Sequence, residues 1–583
     1  MFDKLGFAVR ALAISAILLA GAPFAGAQTL GSPSTLIGRP PPLPLTLPQR
    51  LRAQANPFSL LQLQSRLPPV GSPPPAAPPP SGSPWQFGTQ PPGAPPLSNP
   101  LLLTDGTVIV HVSCTGTWWR LTPDQTGSYR NGSWSGIAAM PTGYEPRFFS
   151  SAVLPSGKVR IEGGEYNAKG LNCNEVALKN ARGAIWDPRT DSWASVAPPA
   201  GWNTIGDAPA TVLANRIYMQ ADCCDSGRLA AVRKSRAWQA TGSGKFDSYD
   251  EEGWTLLPSG GLLTVDAYVG RRGCGRNTEA YGPAAHAWSS AGDTPAQLAD
   301  CANPSGTPSY EMGPQILRPD GTVVAFGGTT CNDPVGGGVN PSCDDGAVTV
   351  VTYSAIFDTA SFSWSAGPDI PAVGGQNYTL ADAPAALEPN GDILFAASPN
   401  AETFSNPTHF FELSGADNTI AQTADPSDAG AFTSFQWNLL VLPTGQIMAL
   451  ETDGSTVWYY TPTSGPNPAW TPSIAARHPT GLAIGGTYKL KGTQLNGLSQ
   501  GAAYGDDQQA ATNYPLVRIT NEGTGHVFYA RSFGFATASI KPGIASSLSF
   551  VVPAMETGAA QLAAVANGIA SPPAAVTVSA SPR

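Results

Sequence analysis

Between residues 101 and 450 short apolar runs alternate with polar turns in one recurring phrase. It reads as an apolar strand, a Pro/Asp/Asn/Ser–Gly turn and a second apolar strand. The phrase occurs as LLLTDGTVIV (101–110), SAVLPSGKVRIEGG (151–164), TVLANRIYMQ (211–220), TLLPSGGLLTVD (255–266), QILRPDGTVVAFGG (315–328), AALEPNGDILFAA (385–397) and LLVLPTGQIMAL (439–450). Each phrase predicts a β-hairpin, because its turn needs a positive φ that glycine takes without steric cost. Gly106, Gly157, Gly260, Gly321, Gly391 and Gly445 mark these turns, and only the third repeat lacks one, having Asn215-Arg216 instead. Between the hairpins come further strand phrases that end on Trp, such as AIWDPRTDSW (184–193), AYGPAAHAW (280–288) and AIFDTASFSW (355–364). Four strands per repeat of about 50 residues, seven times over, predict an all-β chain built on a seven-bladed propeller spanning 98–465. Closing the ring would also remove exposed sheet edges.

After Trp470 the pattern changes to short alternating strands, TYKLKGTQL, PLVRITN, HVFYARS, SLSFVVP, AQLAAVANG and AAVTVSA. About a hundred residues of this kind predict an Ig-like β-sandwich over 466–583. Before the repeats, residues 31–100 hold 21 of the 58 prolines, four Arg and no acidic residue. Such a segment buries too little apolar surface to pack, so 28–97 is expected to be a Pro-rich, disordered linker. Residues 1–27 have the form of a signal peptide. Lys4 and Arg10 precede an apolar run, and Ala25-Gly26-Ala27 is a small-x-small cleavage site. The protein is therefore expected to be exported: secreted, cell-surface or periplasmic. No later run is long and apolar enough to predict a membrane span.

Composition sharpens this picture. Gly (64) and Pro (58) make up about a fifth of 583 residues, which argues against a helical bundle. A net charge of -9 argues against nucleic acid as a partner. Eight Cys in an exported chain predict disulfides rather than a zinc site. Cys274–Cys301 and Cys331–Cys343 are the local pairs. Cys223 and Cys224 either form a vicinal bond or pair separately with Cys114 and Cys173.

The Pro-rich lead, the kelch-type hairpin repeat and the C-terminal strands together resemble the galactose oxidase / glyoxal oxidase family over roughly residues 98–583. Within it, TWWRLTPD (117–124), DEEGWTLLPSG (250–260) and LNGLSQGAAYGDD (495–507) are most similar to bacterial kelch-repeat proteins with a galactose-oxidase-like C-terminal domain. The resemblance implies one copper held by two Tyr, two His and a Cys crosslinked to one Tyr. It would place these about nine or ten positions before the turn glycines, with the last His on a loop of the C-terminal domain. In this chain the Cys position falls at Leu97–Asn99, one Tyr position is Phe148, and the Tyr-His pair is Phe435-Gln436. The C-terminal loop, expected within Ser532–Ile540, has no His. Copper needs imidazole and phenolate donors, so copper-radical oxidase chemistry is not expected.

The same positions carry acid instead. Asp207, Asp250, Glu251, Glu311 and Asp382, with Arg147 and Gln436, would converge on the propeller axis as a ligand-binding ring. Crowded carboxylates have raised pKa values or gather a polar ligand, and oxygen donors suit Ca²⁺ rather than copper. The competing structural reading has them capping backbone N–H groups or pairing with Arg147, Arg271 and Arg272. The function expected is a binding or interaction protein for a carbohydrate, a cell-surface polymer or a protein partner, with no cofactor. The alternatives are a sugar isomerase, lyase or hydrolase using Glu251 and Glu311 as acid and base, or a divergent oxidase. His111, His286, His409 and His478 are read as structural, and most blade Trp residues as core.

Overall fold

The computed structural model describes residues 82–168, 175–178, 180–223, 229–234, 237–267, 275–299, 311–329, 351–400, 404–504 and 510–580. Every one of the seven hairpin phrases forms the two inner strands of a blade. The first blade runs Leu97–Leu102, Val108–Val112, Trp118–Thr122 and Ser133–Gly136, each strand antiparallel to the next. Six more four-stranded blades follow, their innermost strands starting at Ser150, Ala210, Thr255, Gln315, Ala385 and Trp437. The Trp-ending phrases supply the outer pairs, as in Gly183–Asp187 against Ser192–Val196. The six turn glycines all have positive φ, between 76° and 100°. At the third hairpin Arg216 adopts φ 72° in their place. Its guanidinium donates to the Phe535 carbonyl at 3.2 Å, an anchor for a residue in a region that side chains disfavour.

The ring closes with a strand from the segment expected to be linker. Trp85–Phe87 pairs with Val457–Tyr460 as the outermost strand of the seventh blade, so the propeller begins before residue 98. Trp85 is fully buried there, and its indole N–H donates to the Ala424 carbonyl at 2.6 Å. Residues 28–81 of the expected linker, and the expected signal peptide, lie outside the described residues. Among the described residues no helix is long and apolar enough to cross a membrane.

The C-terminal strands match the alternating phrases. They form one ladder in the order Ser473–Ile474, Thr487–Thr493, Ala545–Val551, Val527–Phe533, Leu516–Asn521, Gly558–Ala566, Ala574–Ser579 and Gly481–Ala483. Val527–Phe533 changes partner half-way, pairing first with 517–520 and then with 549–551. Alternate residues such as Leu490, Leu548, Phe550, Ile519 and Leu562 are buried, the period-2 signature of a sheet with one covered face.

This ladder packs on the side of the propeller where the hairpins turn. A Cβ on Gly106 would fall inside the Tyr529 ring, and one on Gly391 inside the Trp470 ring. Gly106→Ala is therefore expected to cost about 2 kcal/mol, through positive φ and displacement of Tyr529. The denaturation midpoint should fall accordingly, and an unchanged midpoint would contradict this packing.

Candidate functional site

Two stretches of the C-terminal region meet the inner strands differently. Ser532–Ile540 lies under the turns of the first three blades: Ser532 N–H donates to Thr104 O, Gly534 N–H to Pro155 O and Ala538 N–H to Ala214 O. Gln500–Tyr504 goes further in. Ala502 and Ala503 pair with Ala386 and Ala385 on the sixth blade, and the Gln500 amide bridges Leu256 N on the fourth blade and Thr211 Oγ1 on the third. Tyr504 O–H donates to the Phe435 carbonyl, beside the seventh blade, at 2.6 Å. One short segment can touch the innermost strands of three blades and the turn leading into a fourth only at the axis. The loop that enters the propeller is therefore Gln500–Tyr504, which corrects the expectation of Ser532–Ile540, and Ser499–Tyr504 contains no His. His526, immediately before the strand Val527–Phe533, faces Glu556 at 2.5 Å.

At the opposite ends of the inner strands the acidic residues come together. Ligand atoms of Glu251, Glu311 and Asp382 lie within 4.8 Å of one another, and so do those of Asp207, Asp250 and Cys223. The two groups share one electrostatic space. Burial pushes Glu251 well above the carboxylate range, reinforced by the charges of Asp382, Asp250, Asp207 and Glu165. Asp382 is pushed up to about 7, mainly by burial, with Asp207 adding and a hydrogen bond to Glu311 opposing. Phe148, Glu251 and Asp382 stand nine positions before their turn glycines and share φ values of 48°, 58° and 49°. Three non-glycine residues in the left-handed region at equivalent blade positions mark strain of about 1 kcal/mol or more each. Local strain of this size persists when surrounding structure fixes it.

The other predicted members divide. Arg147 is buried and pairs with Asp453 at 2.5 Å, with its guanidinium 4.8 Å from the Phe148 ring centroid. Asp453 also accepts from Ser113 Oγ at 2.6 Å. Gln436 uses its amide oxygen to accept from Thr433 N at 3.1 Å, capping a short helical turn. Arg271 and Arg272 lie outside the described residues, as do Cys173, Cys224, Cys274, Cys301, Cys331 and Cys343. Neither Cys114 nor Cys223 is a free thiol.

Beside the carboxyls stands an aromatic wall. Phe148, Phe404, Phe435 and Tyr166 form one buried cluster, with Phe404 and Phe435 centroids 4.6 Å apart and Phe148 and Phe435 6.4 Å apart. Two of the positions where the family resemblance puts copper ligands are thus filled by packed phenyl rings, which offer no donor atom. The residues present do not fit a copper–phenolate centre. Glu165 and Asp453 were not foreseen in the sequence. Both follow second strands of hairpins rather than preceding first strands, so a count back from the turn glycine misses them.

The raised carboxyls set a pH dependence. Glu388 is pushed up to about 9, chiefly by burial. Like Asp382, it binds more protons folded than unfolded, so the stabilisation from the two is complete below about pH 4 and is lost as pH rises through 7 to 9. Asp187, Asp124 and Glu556 shift downward and act in reverse, weakening the fold only at more acid pH. The melting temperature is expected to be higher at pH 5 than at pH 8; a higher value at pH 8 would contradict these assignments.

No protein-family model matches the chain, and no curated protein matches it. Solved structures do. A fungal alcohol oxidase of the AA5 family, in complex with copper, aligns at 14% identity and TM-score 0.34, covering 82% of this chain and 85% of its own. The extracellular domain of BT4673 from B. thetaiotaomicron aligns at 10% identity and TM-score 0.38 over 84% of this chain. That alignment spans 56% of the BT4673 chain.

Proposed function

We propose that this is an exported kelch-type propeller protein that binds a carbohydrate or another small polar ligand in the axial acidic chamber, and that it is not a copper-radical oxidase. The C-terminal ladder, read as an Ig-like sandwich, carries the loop that floors the chamber. The observation behind this reading is the meeting of five carboxyls from four successive blades beside the wall of Phe148, Phe404 and Phe435. Carboxylates accept hydrogen bonds from ligand hydroxyls, and aromatic faces cover the C–H side of a sugar ring. Ca²⁺, which takes oxygen donors in numbers of about six to eight, suits Glu251, Glu311 and Asp382 better than any copper ion.

A second reading has one observation in its favour. Burial and mutual repulsion push both Glu251 and its neighbour Asp382 above the ordinary carboxylate range, Asp382 to about 7, and carboxyls raised toward neutral pH are the equipment of acid–base chemistry. Under it, Glu251 and Glu311 would serve a sugar isomerase, lyase or hydrolase, and Glu251→Gln would abolish conversion of a bound sugar.

Protein purified from copper-supplemented culture is expected to hold no stoichiometric copper and to consume no oxygen on sugars or aldehydes. Copper at one per chain with turnover would overturn the reading. In the same preparation Ca²⁺ is expected to raise the melting temperature more at pH 8 than at pH 5, because it must displace protons from the chamber.

A further inference from the structure

A second charged cluster joins the loop between the third and fourth blades, which carries Lys245, Asp247 and Glu252, to the fourth blade itself, where Asp266 follows the second strand and Glu279 lies in the third. The Lys245 side chain is wholly buried, with Nζ 2.9 Å from Glu252 Oε1, 2.9 Å from Asp266 Oδ1 and 2.8 Å from Glu279 Oε2, and in contact with Asp247. Four carboxyls exceed the three N–H donors of an ammonium group. The Tyr249 and Trp288 ring centroids stand 5.5 and 5.9 Å from Nζ and help exclude water.

The carboxyls are not equivalent. Glu279 accepts from the Phe246 N–H through both oxygens at 3.1 Å. Glu252 accepts from Thr264 Oγ1 at 3.2 Å through the oxygen that does not face Lys245. Asp266 is buried, and its Oδ2 has no hydrogen-bond partner. An uncharged carboxyl suits that environment, since an ionised oxygen left unpaired in the interior is costly. Against the effect of burial, the surrounding carboxyls raise the Lys245 pKa, so the group is an ammonium, and its Nζ is held 2.9 Å from an oxygen of the Asp266 carboxyl, which keeps the two groups of a prospective amide side by side.

We propose that Lys245 and Asp266 join in an intramolecular amide bond that ties this loop to the inner hairpin of the fourth blade. The ammonium passes one proton to the Glu279 carboxylate, and the Nζ lone pair attacks Asp266 Cγ. The C–N bond forms and the bond from Cγ to the hydroxyl oxygen breaks. That hydroxyl leaves as water with a second Nζ proton, and the third stays on the amide nitrogen. One water is lost and nothing is oxidised or reduced. Only the folded chain holds the groups together, so the reaction follows folding and needs no partner.

The test is mass spectrometry of the purified full-length protein after denaturation. The expected mass lies one water below that of the chain with its disulfides counted, and a protease digest contains a branched peptide joining Lys245 to Asp266. The Lys245→Arg variant keeps the cation and should lack both signals. If that variant fails to fold, amine labelling of the denatured wild type decides instead. Lys245 should remain unlabelled while other lysines react. Recovery of Lys245 in a linear, labelled peptide would overturn the proposal, and so would a branched peptide through any other carboxyl.

Discussion

Trp85→Ala is expected to lower the stability of the protein by about 3–5 kcal/mol, the range for removing a large aromatic side chain from a packed core. The indole is fully buried, with ring centroids 4.8 Å from Phe410, 4.9 Å from Tyr460 and 6.5 Å from Trp458. The change would also orphan the Ala424 carbonyl, which its N–H now satisfies. The seventh blade takes three strands from one end of the repeat array and this one from the other. Loosening it therefore opens the ring rather than one sheet. Urea denaturation of wild type and variant reads the effect, and a difference below about 1 kcal/mol would show that the closing strand contributes little.

The second large effect runs opposite in sign for stability and for binding. Glu251→Gln with Asp382→Asn keeps the size and shape of both side chains and removes two carboxyls whose ionisation burial opposes. Above pH 7 the folded chain should gain about 1–3 kcal/mol, since each unit of upward shift corresponds to about 1.4 kcal/mol. Ligand binding should be lost. A purely structural pair would behave otherwise, because removing groups that cap or pair with the framework weakens it. Stability yielded at a site and recovered when the site is dismantled is the signature of functional residues.

Turn chemistry is local, and so the propeller was legible. A Gly flanked by two apolar strands specifies its hairpin within about ten residues, and seven hairpins then leave few ways to close. Arg216 shows the limit of the rule: the turn survived without its glycine because a contact with Phe535, more than three hundred residues away, holds it. Trp85–Phe87 was not legible for a similar reason. Its partner strand lies at the far end of the array, and the surrounding prolines carry the signal of a linker. The closeness of Glu251, Glu311 and Asp382 could be anticipated by counting back from the turns, because residues nine or ten before each turn glycine lie at the same end of their inner strands. Arg147 fell within that count, yet its pairing with Asp453 did not, since ion pairs across blades have no sequence spacing. The entering loop was misplaced because either segment of the C-terminal region could have reached the axis. What selected Gln500–Tyr504 is its side-chain and backbone bonding to four blades at once.

Glycan-array binding by the full-length protein, measured beside the variant carrying both Glu251→Gln and Asp382→Asn, tests the axial chamber most directly. The prediction is glycan binding by the wild type, and none by the variant at pH 8 although its melting temperature is no lower. Glycan binding that survives both substitutions would contradict it.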